Sequence, residues 1–587
     1  MKRRGVWIAA AVAAVVLILL GVWGFSQAKQ FEALAKAGKA DASAGLKSLA
    51  AEDPAAALAS FQKATDEFGR ARALLGPEWL HGVPWVGRQL AAADDLATIG
   101  MEGSSAGAEA VQVLEAAGAT SGEGGLNQLL VQARPHLDSA LASLVVVAER
   151  SDGLTTDGLV PQLADAVTEL NGLLDPMRLV LSRSQAMLEL ERYLFSGEHT
   201  FLMVAQNSSE LRPTGGFMGT FGMFRFGPGG IALDSFADVY SLPFDTLDEP
   251  LPEGGQVNYN HFYFRNTNWW MDFPTSTHMM LKFWANLKQP ELDGIIAVDI
   301  PLLQALLRVH GPITVPESSE PITAQNAMLL LNEVVQYDKS GQASRDDRKL
   351  AIVSLVKELF GWLTGLPADQ ARPVLDALVG AANQKHVQVY FTDPAAQAAI
   401  VQTGWSGALA PPEGTTDLVA VSNGVIIPSK ANFGVSKTLD YVVVLNPDGS
   451  ADTTLALGYT KSPQKLLGVP QQWLANYTRV HRLAGTTSAG EAVDGFTSLV
   501  DATGLPTFGQ YFRLNPGASK DVTLQSRVPE AVQQGAAATI PGAPEAASTA
   551  TGDVWHYRLL LAKQADLVET GATVTVTVPE GWAVAGS

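Results

Sequence analysis

The residues best equipped for chemistry lie in Gln206-Asn-Ser-Ser-Glu-Leu-Arg-Pro-Thr-Gly-Gly-Phe217. Arg212 offers a planar fork of donors that suits phosphate or carboxylate, and loop N–H groups add to such a cradle. Pro213 stiffens the loop, whereas Gly215 and Gly216 permit positive φ and the close approach of a ligand. The same residues also fit a tight turn in which Arg212 pairs structurally with Glu210. Arg345-Asp-Asp-Arg348 follows Ser344, and Ser344-x-x-Asp347 fits a helix capping box. Arg345 and Arg348 then share one face of a first turn, where two cations oppose the helix dipole and invite an anion. Asp346 and Asp347 offset that charge locally. Arg265, with Asn266, Asn268, Trp269 and Trp270, has the composition of a sugar groove, which aromatic core packing explains equally well. Asp299 stands just before Pro301 at the start of an expected helix, the place of an N-cap.

Other spacings carry less. Gly103-Ser-Ser105-Ala-Gly107 matches the nucleophile-elbow pattern, but that elbow needs a preceding strand and the surroundings here are helical. Ser354-Leu-Val-Lys357 lies within an amphipathic helix and lacks companion motifs. The nine histidines form no metal-binding spacing, and the absence of cysteine excludes disulfides, thiolate metal sites and cysteine nucleophiles. No metal site and no cofactor is expected on these grounds, and any catalytic residues stay unassigned.

The elements that must position these residues follow from composition and periodicity. The chain has 587 residues, 47% hydrophobic and 17% charged, and is long enough for several cores. Its net charge of −19, with no offsetting basic domain, argues against a nucleic-acid partner. Lys2, Arg3 and Arg4 precede an uncharged stretch from Gly5 to Phe25, with Trp7 and Trp23 near its ends. That stretch is long enough for a ~30 Å hydrocarbon core and, with a cleaved signal peptide as the alternative, predicts a single-pass membrane anchor, N-terminus cytoplasmic and bulk extracytoplasmic. Residues 1–28 are thus expected as tip and anchor, and 29–195 as an α-helical bundle or stalk. A stripe at Leu58, Phe61, Thr65, Phe68, Arg72 and Leu75 marks one of its helices. Residues 196–432 mix strand and helix signals. They run from Phe201–Ala205 through a hairpin around Gly227-Pro-Gly-Gly230 to strands at Val387–Phe391 and Val419–Pro428, an α/β domain. Residues 433–587 carry repeated strand signals and predict a β-sandwich-like domain, with a flexible insertion from Gly535 to Thr551.

The order of motifs resembles an uncharacterised bacterial family of membrane-anchored cell-envelope proteins. The resemblance rests on Pro84-Trp-Val-Gly87-Arg-Gln-Leu, Glu210-Leu-Arg-Pro-Thr-Gly-Gly-Phe217, Asp293-Gly-Ile-Ile-Ala-Val-Asp299, Gly311-Pro-Ile-Thr-Val315 and Asn432-Phe-Gly-Val-Ser-Lys437. The middle domain is also similar, more distantly, to the LytR–CpsA–Psr phosphotransferases, which attach polyprenyl-pyrophosphate-linked glycans to peptidoglycan using arginines and a metal-binding aspartate. Where that family carries acidic residues in its early loops, this chain has Asn207 and Thr214-Gly215. Its arginine–aspartate motif is replaced by Ala237-Asp-Val-Tyr240.

The resemblance implies binding of an anionic ligand, a polyprenyl-phosphate glycan or cell-wall polymer, through Arg212, Arg265, Arg345 and Arg348 with Glu210, Gly215 and Gly216. The lipid bilayer is the other expected partner. Binding is favoured over catalysis. A non-catalytic structural scaffold is the alternative. A glycan phosphotransferase is the further one, requiring magnesium and acidic ligands such as Glu210 and Asp238.

Overall fold

The computed structural model describes residues 2–76, 78–119, 125–243, 249–252, 261–318, 320–329, 345–466, 469–488, 495–499, 501–535 and 554–584. Within these, the side chains at 2–25, 78–79, 117–119, 125–126, 345–349, 368–369 and 469–470 are outside the description. The chain forms two compact units, one of residues 1–197 with 227–230 and 363–371, the other of the remainder.

The first unit is helical: α1 (Lys2–Ala50), α2 (Pro54–Arg72), α3 (Pro84–Ala119), α4 (Gly125–Asp152), α5 (Pro161–Leu174) and α6 (Arg178–Leu194). Asp53 starts α2 by accepting from the Ala56 N–H at 3.0 Å, with Pro54 in its first turn. Of the expected stripe, Phe61 is buried and Leu58, Thr65 and Phe68 are half-buried, whereas Arg72 is exposed and Leu75 lies past the end of α2; the two rings face glycines. A Cβ at Gly45 of α1 or Gly107 of α3 would come within 2.9 Å of the Phe61 ring. One at Gly38 or Gly100 would meet Phe68 at 2.9 and 2.6 Å. Rings seven residues apart on α2 thus sit in notches seven residues apart on each neighbouring helix. The Gly103–Gly107 spacing falls inside α3, with no strand before it.

Among the described residues no helix is long and apolar enough to cross a membrane. This corrects the expected transmembrane anchor and, with it, the single-pass membrane fold class and the cell-membrane localisation. Past residue 28, α1 continues unbroken through Lys29, Glu32, Lys36, Lys39, Asp41 and Lys47, more charge than a hydrocarbon core accepts. The side chains of Gly5 to Phe25, on which that expectation rested, lie outside the described residues.

The second unit begins with a mixed sheet of β1 (His199–Asn207), β2 (Phe217–Gly227), β3 (Gly230–Asp238), β4 (Gly294–Asp299) and β5 (Val387–Phe391), in the order β3-β2-β1-β4-β5. β1 and β4 run parallel, whereas β1 with β2 and β4 with β5 are antiparallel. Helices α7 (Phe273–Asn286), α8 (Ile300–His310), α9 (Arg345–Thr364), α10 (Ala368–Asn383) and α11 (Pro394–Thr403) accompany it. The remaining strands are β6 (Asp417–Val425), β7 (Val435–Leu445), β8 (Ala451–Lys461), β9 (Lys465–Leu466), β10 (Val469–Pro470), β11 (Leu474–Arg482), β12 (Thr487–Ser488), β13 (Thr497–Leu499), β14 (Thr507–Leu514), β15 (Ser519–Val528), β16 (Gln533–Gly535), β17 (Val554–His556), β18 (Leu559–Ala562) and β19 (Gly571–Thr577). Two five-stranded sheets, β13-β14-β11-β6-β18 and β12-β15-β8-β7-β19, share one core of Val435, Leu439, Val443, Leu455, Leu457, Val480, Phe512 and Leu524. Alternation of buried with exposed residues along β7, and of buried with half-buried or exposed residues along β8, is the signature of a sheet with one covered face.

The strand expected at Val419–Pro428 forms as β6, but in the sandwich rather than in the mixed sheet. β11 beside it is buried at every position, because its second face is covered too. Trp269 stacks on Tyr477 with centroids 6.1 Å apart, and the Arg479 guanidinium lies 4.8 Å from the Trp269 ring. The mixed sheet and the sandwich are therefore packed directly together. The expected insertion at Gly535–Thr551 falls almost wholly outside the described residues.

Candidate functional site

Parallel strands β1 and β4 end side by side, Gln206 opposite Asp299. In α/β folds this carboxyl edge is where ligands bind. A register irregularity between Ala205 and Gln206 in the pairing with β2 opens the loop 208–216 just there. The loop folds back on itself: Glu210 N–H donates to Asn207 O at 3.0 Å, Gly215 N–H to Arg212 O at 2.8 Å and Phe217 N–H to Glu210 O at 2.9 Å. Gly215 adopts φ +136°, which a side chain would strain. At Gly216 a Cβ would lie 2.4 Å from the Asn207 carbonyl carbon. The close approach that these glycines permit is thus chiefly to the protein's own backbone.

The ligand edge is filled by side chains. Asn268 Nδ2 lies 3.0 Å from Gln206 Oε1, 3.1 Å from Thr214 Oγ1 and 2.7 Å from Gly216 O. Thr214 donates to Gln206 Oε1 at 2.6 Å, and Gln388 Nε2 donates to Thr214 O at 2.6 Å. Asp299 caps α8 through the Leu302 N–H at 3.3 Å, as its position predicts, while its Oδ2 lies 2.7 Å from His386 Nδ1. Burial pushes the Asp299 carboxyl above its ordinary range, and His386 opposes that shift.

The other side of the loop is held by the sandwich and its approach segment. Ser208 O accepts from Asn432 Nδ2 at 2.9 Å, Ser209 O from Asn432 N–H at 3.0 Å, Leu211 O from Val425 N–H at 2.8 Å and Arg212 O from Gln564 Nε2 at 3.1 Å. Asn432 is itself positioned by Asp566 Oδ1 at 2.8 Å and Lys437 Nζ at 2.9 Å, and Lys437 also pairs with Asp566.

Of the four arginines, Arg212 and Arg265 have described side chains. Arg212 is only 3% exposed, bonds Glu210 Oε1 at 2.9 Å and lies 5.8 Å from the Phe217 ring. Arg265 is half-buried over Tyr263 at 4.0 Å and Tyr240 at 5.3 Å. Phe217 and Tyr240 stand 6.5 Å apart, so aromatic rings link Arg212 to Arg265. Trp269, Trp270 and Asn268 are buried, so the sugar-groove reading of that stretch gives way to core packing. Arg345 and Arg348 begin α9, with side chains outside the described residues, as is Ser344 of the expected capping box. Asp238 caps a short turn by accepting from Tyr240 N–H at 2.7 Å.

One cation escaped the sequence reading. Lys430 is half-buried, and loss of water lowers its ammonium pKa; Glu210 opposes this and Arg212 adds to it. Its Nζ has no hydrogen-bond or ion-pair partner among the described residues. Nothing in Pro428-Ser-Lys430 signals this, because its neighbours come from the loop more than two hundred residues earlier. Among the described residues no group of three or more His, Asp or Glu is placed to hold a metal ion.

Residues 196–335 match the profile of a family described as Protein of unknown function (DUF4012). The matched segment holds the mixed sheet through β4, the loop 208–216 and α8, and supports an uncharacterised domain-of-unknown-function family. No curated protein and no solved structure matches the chain.

Proposed function

We propose that this protein is a non-catalytic scaffold whose signature loop is a latch between a mixed sheet and a β-sandwich. The observation that carries this reading is the use of the loop's donors and acceptors. Carbonyls of Ser208, Ser209, Leu211 and Arg212 are all taken by Val425, Asn432 and Gln564, and the buried guanidinium closes on Glu210. A latch predicts that Arg212→Met destabilises the second unit by about 2–4 kcal/mol in urea unfolding, because Glu210 is left buried without its partner. A variant as stable as the parent sinks the reading. No catalytic step is assigned, since Glu210 is spent on Arg212 and Asp238 on a turn.

A second reading is favoured by Lys430. Arg212 and Lys430 against Glu210 leave one uncompensated positive charge, which suits an anionic group such as the phosphate of a glycan polymer. Pyrophosphate titrated into the full-length protein should then release heat, and Lys430→Ala should abolish the signal. An equal signal from both proteins, or none from either, ends this reading and leaves the latch untouched.

A further inference from the structure

We propose that β19 is a docking edge for a second copy of this chain, the two strands pairing antiparallel about a two-fold axis through Thr575. β19 pairs with β7 and closes its sheet, with no strand on its other side among the described residues. All seven residues from Gly571 to Thr577 are exposed. The register places Val574 beside Tyr441 and Val576 beside Val443 on the inward face. Yet Tyr441 and Val443 are 1% and 0% exposed, whereas each of the two β19 valines is 41% exposed. The inward row is therefore covered as far as β7 and bare at β19.

Edges of this kind are ordinarily blunted by charge, proline or a bulge. Gly571-Ala-Thr-Val-Thr-Val-Thr577 has none of these. What it has instead is symmetry, because Thr573-Val-Thr-Val-Thr577 reads the same in both directions. Antiparallel pairing centred on Thr575 sets Thr573 against Thr577 of the second copy, and Val574 against its Val576. Valine meets valine and threonine meets threonine, both favourable cross-strand pairs, and no charge opposes another. A shift of one residue would set valine against threonine and turn the apolar row outward. Each copy offers β19 once, so the contact closes at a dimer.

A chain without cysteine gives a clean test. Opposed residues of an antiparallel pair have Cα atoms about 4.5–5.5 Å apart, within disulfide reach, so full-length Thr575→Cys should cross-link to a dimer under mild oxidation. Thr577→Cys puts its two thiols about 13 Å apart and should link roughly tenfold less, until mixed with Thr573→Cys. Thr575→Lys and Thr575→Glu should each be monomeric in light scattering and should form a heterodimer when combined, which also shows that both variants fold. The proposal is overturned by equal cross-linking at 575 and 577, by failure of the charge-swapped pair to associate, or by species larger than dimers.

Discussion

Arg212–Glu210 and Arg482–Asp417 are both ion pairs withdrawn from water within one unit, and they are built in different ways. Arg212 reaches a carboxylate two residues away in its own loop, so the pair is local, with Nη2 donating to Glu210 Oε1 at 2.9 Å. Arg482, on β11, meets Asp417 from β6, with Nη2 2.9 Å from Asp417 Oδ1 and 2.6 Å from the Tyr441 hydroxyl; its Nη1 lies 2.8 Å from Ser526 Oγ. Tyr441 and Tyr557 in turn donate to Asp417 Oδ2 at 2.5 and 2.8 Å. Burial drives both phenols above their ordinary pKa, and the Asp417 charge adds to that while Arg482 opposes it. A local buried pair returns little beyond its desolvation cost, whereas the network ties Arg482, Tyr441 and Tyr557, from three other chain segments, to the one Asp417 carboxylate.

Breaking the network should have the largest effect. Asp417→Asn leaves the Arg482 guanidinium at 0% exposure without its counter-charge, an expected loss of about 3–5 kcal/mol in urea unfolding. The further change Arg482→Met should not restore it, because Tyr441, Tyr557 and Ser526 keep polar atoms with fewer partners. The local pair should behave oppositely. Adding Glu210→Gln to Arg212→Met should recover most of the single variant's loss, about 2 kcal/mol, since both charges then leave together. Equal recovery in the two double variants would erase the distinction between pair and network.

The smallest effect is one of pH. His481 is fully buried, and desolvation lowers its pKa from 6.5 to about 4, Asp501 opposing this and Arg479 adding to it. Its ring nitrogens face Thr507 Oγ1 at 3.0 Å and Ser422 Oγ at 3.4 Å, and Asp501 lies 3.7 Å away. As pH falls from 6.5 towards 4, the unfolded chain takes up a proton that the folded chain refuses. The stability is therefore intact above pH 6.5 and is lost progressively towards pH 4. A loss of about 1–2 kcal/mol between pH 7 and pH 5 is expected, and His481→Gln should flatten that slope. An unchanged slope would assign the acid sensitivity to other groups.

Much of the mixed sheet was legible. Alternating helical and strand signals placed β1, the β2–β3 hairpin, β4 with its Asp299 cap, and β5, because each is a short-range pattern. The strand at Val419–Pro428 was legible as a strand but not as a member of the sandwich. An apolar strand covered on both faces looks the same in either sheet. The Glu210–Arg212 pairing was one of two readings offered by their spacing. Asn432, Lys437, Gln564 and Asp566, which hold the loop, gave no signal of that role, since their partners come from strands and loops distant in sequence. The apolar run at the N-terminus suggested an anchor, and the described helices do not supply one.

Residue order alone settled what depends on neighbours: which segments are helix or strand, where Asp299 caps, and which turn needs Gly215. Whether Arg212 meets a ligand or a carboxylate, which sheet takes β6, and why β19 stays bare were decided only by the fold. Those outcomes depend on which distant segments remove water from a given side chain, and burial is a property of the assembled chain rather than of any stretch of it.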